Sequence, residues 1–223
     1  MKKFKLTSEF IVDISGVKLF RIKALIEFGN VKAGDLGGYI EKEKNLSHMG
    51  DAWVSDDARI SGNAQVFGDA QVFGNAQVFG DAWVFGNARV SGNAQVSGDA
   101  QVFGDAQVFG DAQVFGDAWV FGNAWVFGNA WVFGNARVSG DAQVFGDARV
   151  SGDKDYAYAH GFGSCNRTTT FFRLKDGDVG VRCGCFYGTL AQFRDKVCET
   201  HGETKKAQEY LMLADLMEIR FKN

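Results

Sequence analysis

The sequence predicts a mainly β protein built as a parallel β-solenoid with small caps, and three observations carry that expectation. First, a six-residue period of the form Ala-x-Val-(Phe/Ser)-Gly-(Asp/Asn) runs from Asp51 to about Asp153. Seventeen alanines, Ala52 to Ala148, and seventeen Val/Ile positions, Val54 through Ile60 to Val150, keep that spacing without a slip. Second, 29 glycines recur at fixed spacing in a chain of 223 residues with no proline, which argues against a Gly-rich linker. Third, apolar and polar residues alternate within each hexapeptide. Self-similarity of this kind marks a stack of equivalent backbone units.

Residues 1–39 stand outside the repeat. The segments FKLT, EFIVDI and KLFRIKALIEF cluster β-branched and aromatic residues around a turn signal at Ser15-Gly16. They predict a β-hairpin followed by a Gly-rich corner, AGDLGGYI, whose task is to cover the first coil, because an open solenoid end exposes unpaired backbone. Ile40 and Leu46 lie six apart and read as an imperfect first repeat, so the shaft is placed at 40–162. His48 and Met49 read as a two-residue insertion before the regular register.

Within the repeat, Ala and Val are two apart and share one face of an extended strand. The residue between them is Gln, Arg or Trp, and the residue after Val is Phe or Ser. Arg59, Arg89, Arg137 and Arg149 cannot sit unpaired in a narrow core, so Ala and Val face inward and Phe outward. Gly followed by Asp or Asn makes the corner, since glycine adopts positive φ without penalty. With three sides per coil the hexapeptides stack about six coils, a shaft on the order of 27 Å long.

Val66 with Ala64, or Val120 with Ala118, fit the motif of the hexapeptide-repeat left-handed β-helix family, which this sequence resembles. The resemblance implies a three-sided section and a left hand; the hand does not follow from periodicity, since parallel crossovers are ordinarily right-handed. GDLGGYIEKEKNLS followed by GDAWVSDDARISGNA also resembles β-helix proteins of phages and prophages, some of them labelled transferases. Lys44 departs from that pattern, occupying a slot that is normally small.

After Asp153 the repeat decays, although Tyr156 and Phe162 keep the spacing. TTTFFRL and VGVRCGCF, joined by Lys175 to Asp178, read as a β-hairpin. A helix opens at the N-cap Thr189 and closes at Gly202. A second runs from Lys205 to Arg220 with Ala207, Tyr210, Leu211, Ala214, Leu216 and Met217 near one side. Residues 163–223 are therefore expected to form a ββαα module. The run from Asn166 to Gly202 also resembles a C-terminal module of phage proteins, which implies no activity.

Net charge is −3, but residues 51–153 carry twelve Asp against four Arg, while both ends are mildly basic. An acidic shaft lacks the basic stripe of a nucleic-acid clamp, so no direct nucleic-acid binding is expected. No apolar run approaches the length of a membrane span and the N-terminus lacks a signal-peptide core, so a cytoplasmic protein with free thiols is expected.

Candidate chemistry is sparse. Left-handed β-helices include acyltransferases, which need a general-base His at a coil edge and usually a covering loop. Here His48, His160 and His201 all lie outside the repeat and no loop interrupts it. That disfavours both an acyltransferase and a three-His zinc lyase, and no catalytic residue, metal or cofactor is expected. Cys183, Cys185, Cys198 and His201 could supply four soft ligands. The C-x-C spacing places two thiols on one face of one strand, so buried thiols packing the module are expected instead. Asp81, Asp99 and Asp117 lie 18 apart and form an acidic edge, expected to be solvated; an acidic rod can also imitate a phosphate rail.

The aromatic exterior is the strongest anomaly. Phe67, Phe85, Phe103 and Phe121 are 18 apart and predict one outward ladder; Phe109, Phe127 and Phe145 predict a second, and Phe115 with Phe133 a third. Trp119, Trp125 and Trp131 are six apart and predict a girdle around one coil. Flat stacking of identical rings is one way to shield such a surface, but even stacked rings leave their edges exposed, and an outward apolar surface of this extent usually marks an interface. The expected role is a non-enzymatic phage or prophage scaffold binding a protein partner, either copies of itself or a host protein. The alternative is a phage inhibitor of a host nucleic-acid-binding defence protein, acting through the acidic shaft.

Overall fold

In the computed structural model, which describes residues 2–163 and 167–222, each hexapeptide forms one two-residue strand. Seventeen of them run from Trp53–Val54 (β4) to Arg149–Val150 (β20). Each pairs in parallel with the strand 18 residues on, as Gln101 and Val102 pair with Trp119 and Val120. Three hexapeptides thus make one coil, and the strands sort into three sheets. The first face runs from Trp53–Val54 to Gln143–Val144, the second from Arg59–Ile60 to Arg149–Val150, and the third from Gln65–Val66 to Arg137–Val138.

Parity along each strand sets the inside and the outside of the coil. The repeat alanines are fully buried and the Val/Ile positions at most 1% exposed. Burying one such side chain contributes roughly 1.5–3 kcal/mol, and seventeen in register hold a narrow core together. The corner glycines adopt positive φ. Gly104, at φ +71, lies so close to the next coil that a Cβ would sit 3.1 Å from the Gly122 nitrogen. At the one corner without glycine, Asp56 takes φ +55.

The two ends of the shaft differ chemically. Gln101 N–H donates to Ala118 O (2.9 Å), Phe103 N–H to Val120 O (3.0 Å) and Asp105 N–H to Gly122 O (2.9 Å), a pattern repeated from coil to coil. The first coil is therefore left with carbonyls lacking donors, and the last with N–H groups lacking acceptors. Both must be satisfied where they are buried.

Donors close the N-terminal end. The buried Lys3 Nζ donates to Gly50 O (3.0 Å) and Ala52 O (2.8 Å). Twelve residues further along the coil, Asn45 Nδ2 donates to Gly62 O (3.2 Å) and Ala64 O (2.8 Å) in the same geometry. Backbone N–H groups of Tyr39, Glu41 and Ser47 reach Ala58 O, Ile60 O and Val66 O. Acceptors close the C-terminal end: Asp153 Oδ1 takes Arg137 N–H, Asp155 Oδ2 takes Ser151 N–H and Thr170 Oγ1 takes Gln143 N–H, each at 2.9 Å.

The N-terminal cap is the hairpin β1 (Phe4–Val12) and β2 (Lys18–Ala24) plus a third strand, β3 (Leu36–Ile40). Part of the expected Gly-rich corner is thus a strand, antiparallel to β2 and parallel to Arg59–Ile60, which makes the second face nine-stranded. Its glycines are needed for close approach: a Cβ on Gly37 would fall 2.5 Å from Val54 O, and one on Gly38 2.6 Å from Ala58 O. Leu46 bridges to Val66, as an imperfect first repeat requires.

The terminal module is larger than ββαα. β21 (Tyr156–Phe162), β22 (Arg167–Arg173), β23 (Val179–Cys183) and β24 (Phe186–Thr189) form one antiparallel sheet, followed by α1 (Leu190–His201) and α2 (Lys205–Phe221). Residues 156–162, assigned to the shaft by their spacing, pair antiparallel with β22 instead, because the small residues that let coils stack are gone. One face of this sheet sends Phe172 into the shaft core; the other sends Phe171 and Val181 against Phe193, Val197, Tyr210 and Met217 of the helices. Leu216, expected on the inner side of α2, is exposed. No helix among the described residues is long and apolar enough to cross a membrane.

Candidate interaction surface

The outward side chains stand in columns one coil apart. On the third face Phe67, Phe85, Phe103 and Phe121 stack at 4.8, 4.9 and 5.0 Å between centroids, with ring planes within 5° of parallel. On the first face Phe109 stacks on Phe127 at 4.8 Å, and Phe145 follows at 4.5 Å but tilted by 37°. Phe115 and Phe133 stack at 5.2 Å on the second. All three predicted ladders are formed. Their rings are half-buried, because each covers its neighbour's face and turns its edge outward. Ser91 and Ser97 interrupt the first and second faces between Phe73 and Phe109 and between Phe79 and Phe115, whereas the third is continuous from Phe67 to Phe121.

Trp119, Trp125 and Trp131 fall on the third, first and second faces, as a girdle requires. Each sets its ring edge-on to a phenylalanine of the previous coil: Trp119 to Phe103 (6.2 Å), Trp125 to Phe109 (6.1 Å) and Trp131 to Phe115 (5.9 Å). What the next coil supplies decides how exposed each one is. Arg137 lies 4.7 Å over Trp119 and Arg149 4.3 Å over Trp131, cation–π contacts that cover both rings. Trp83 and Trp125 are followed in their columns by Gln101 and Gln143 and stay 43% and 39% exposed. Trp83 is not among the residues the sequence singled out; its partner one coil on, a glutamine and not an arginine, was the available signal. Nothing in the structure explains why the Arg hexapeptides carry Ser in the Phe position.

The corner columns carry the charge. In two of them Asn amides alternate with Asp carboxylates and neutralise part of the repulsion: Asn87 Nδ2 donates to Asp105, Asn93 to Asp111 and Asn123 to Asp141, each at 2.9 Å. The column between the second and third faces differs. Asp81, Asp99 and Asp117 follow one another there, and only Asp81 is met by an amide, that of Asn63 (3.0 Å). All three are exposed.

The structure separates the two cysteines of the C-x-C pair. Cys183 ends β23 and Cys185 lies in the turn to β24, so they do not share one strand face. Cys183 is half-buried, accepting from Thr169 Oγ1 at 3.2 Å and packed against the core of the terminal module as expected, whereas Cys185 and Cys198 are exposed and do not pack it. Cys165 lies outside the described residues. A shallow cavity of about 210 Å³ brings Cys183, Cys185 and His201 together but leaves Cys198 out. No group of three or more His, Cys, Asp or Glu among the described residues is placed to hold a metal ion.

Comparison with known families adds one finding. Residues 82–98 match the YdcK β-solenoid repeat. That stretch spans nearly one coil, from Ala82 on the third face through Arg89 on the first to Gly98 beyond the second. It supports the β-solenoid and carries no activity with it. No curated protein matches the chain.

Proposed function

We propose that this protein is a non-enzymatic docking scaffold that binds another protein through the aromatic faces of its shaft. The observation that carries this reading is the outward placement of the ladders together with the exposed indoles of Trp83 and Trp125. Stacking shields ring faces but turns the ring edges outward on all three sides of the rod, without a break from Phe67 to Phe121 on the third, and surfaces of that kind are interaction sites. The edge-on presentation also disfavours a saccharide, which stacks on ring faces. The partner is a second copy or a protein of a host cell, in line with the resemblance to phage and prophage β-helix proteins.

The test replaces rungs by serine, which the repeat itself places there at Ser61, Ser91, Ser97 and Ser139, so the coil should tolerate it. Sedimentation of the wild type, Phe103→Ser and Phe109→Ser checks self-association, and binding to a purified partner checks the rest. If no rung on any face alters either, the scaffold reading is wrong. The acidic columns favour a second reading, inhibition of a host protein that normally binds nucleic acid. It predicts steep weakening with salt; salt-independent binding would count against it.

A further inference from the structure

We infer that the third face is the docking face and that its partner is a different protein, presenting an apolar stripe bordered by lysines or arginines. The inference rests on the scaffold reading above and narrows it. The third face has four phenylalanine rungs in unbroken succession, with Trp83 projecting beside them. At its N-terminal margin the surface continues into an open cleft of about 610 Å³ between Phe67, Gln65 and His48, room for a bound segment to run past the last rung.

Charge selects the partner. The four segments behind this ladder, 63–69, 81–87, 99–105 and 117–123, each one hexapeptide with both flanking corner residues, contain no lysine or arginine. Their corners hold exposed Asp69, Asp81, Asp99, Asp105 and Asp117 along both edges of the face. The third face's one arginine, Arg137, lies a coil beyond the last rung, 4.7 Å over Trp119. Arg182 lies over the first-face rungs Phe127 and Phe145, and Arg59, Arg89 and Arg149 stand on the other two faces. Four rungs in succession, bordered by Asp and Asn with no cation among them, therefore belong to the third face. Cations stand at the two ends of this stripe: at the cleft Lys2 is paired with Glu43 at 2.8 Å and Lys44 reaches Asn63, and at the far end Arg137 lies over Trp119. Two copies packed face to face about a two-fold axis would set acidic border against acidic border, and like charges brought together across an interface are costly. A basic-bordered partner meets attraction at both edges and apolar contact between them.

The experiment uses the full-length protein and a fluorescent amphipathic helical peptide with a Phe/Leu stripe bordered by Lys, followed by anisotropy. The control peptide has Glu for each Lys. The expected result is binding of the Lys peptide alone, weakened about tenfold between low and high salt. The triple change Asp81→Asn, Asp99→Asn and Asp117→Asn should weaken it about tenfold as well. That variant keeps the coil, since Asn63 and Asn135 stand in the same column. Phe85→Ser with Phe103→Ser should abolish binding, whereas Phe109→Ser with Phe127→Ser on the first face should not. Equal binding of both peptides, binding of neither, or loss only with the first-face variant overturns the inference. An oligomer that Phe103→Ser dissociates would also overturn it while leaving the scaffold reading standing. If no ladder substitution changes peptide binding or oligomeric state, both fall.

Discussion

Lys3 is the residue on which the N-terminal end turns. A lysine only 2% exposed is unusual, and burial pushes its ammonium down to about 8, against the raising influence of Asp51 and Asp69. It persists because two buried carbonyls, Gly50 O and Ala52 O, have it as their donor. Replacing it by methionine removes an expensive buried charge but strands both acceptors, and the second effect wins: Lys3→Met should lose about 2 kcal/mol in urea unfolding at neutral pH. Its titration supplies a second check. Between about pH 8 and the ordinary lysine value of 10.5 the unfolded chain holds a proton that the folded chain has released. Stability therefore rises with pH across that window, and the rise should vanish in Lys3→Met. At the corners, Gly104→Ala forces a Cβ into positive φ against the next coil and should cost more than about 1 kcal/mol. Asp99→Asn, a residue the repeat already uses there, should stay within about 0.5 kcal/mol, and its sign should favour the variant at low salt.

A hexapeptide is the structural element, and its energetics rest on one valine and one alanine facing those of two neighbours. Val102→Ala removes two buried methyl groups from a core with no space to close up, for an expected loss of about 2 kcal/mol by chemical denaturation. Much of this element was legible in the sequence. Arginine parity identified the inner face, and an interval of 18 assigned nine Phe rungs, Phe67 to Phe145, to their ladders. The caps were not legible. Lys3, Asn45, Asp153 and Thr170 meet backbone groups to which no sequence period leads, and their purpose emerges only once the direction of the inter-coil hydrogen bonds is known. Tyr156 and Phe162 misled because spacing outlasted the small residues that make a coil. For the candidate surface, the columns were readable but their exposure was not. Trp83 stays open and Trp119 is covered because of what stands 18 residues later, a glutamine in one case and an arginine in the other.

At the scale of the whole molecule the shaft is a one-dimensional stack, so its length is adjustable in units of the repeat. Deleting residues 99–116 removes one coil and keeps every column in register; deleting 99–104 removes one side and shifts the columns while preserving the Ala/Val core. Both variants should unfold cooperatively, as followed by circular dichroism, whereas deleting 99–103 throws the inner residues out of phase and should abolish the single transition. The chemistry of the two ends has a further consequence. Bared of its caps, one end of the rod offers acceptors and the other donors, so two bare rods fit head to tail and in no other way. Growth by that contact does not close on itself; it yields directional filaments with distinct front and rear, all subunits pointing alike. Lys3 and Asn45 at one terminus, and Asp153, Asp155 and Thr170 at the other, already occupy backbone groups that such a contact would use.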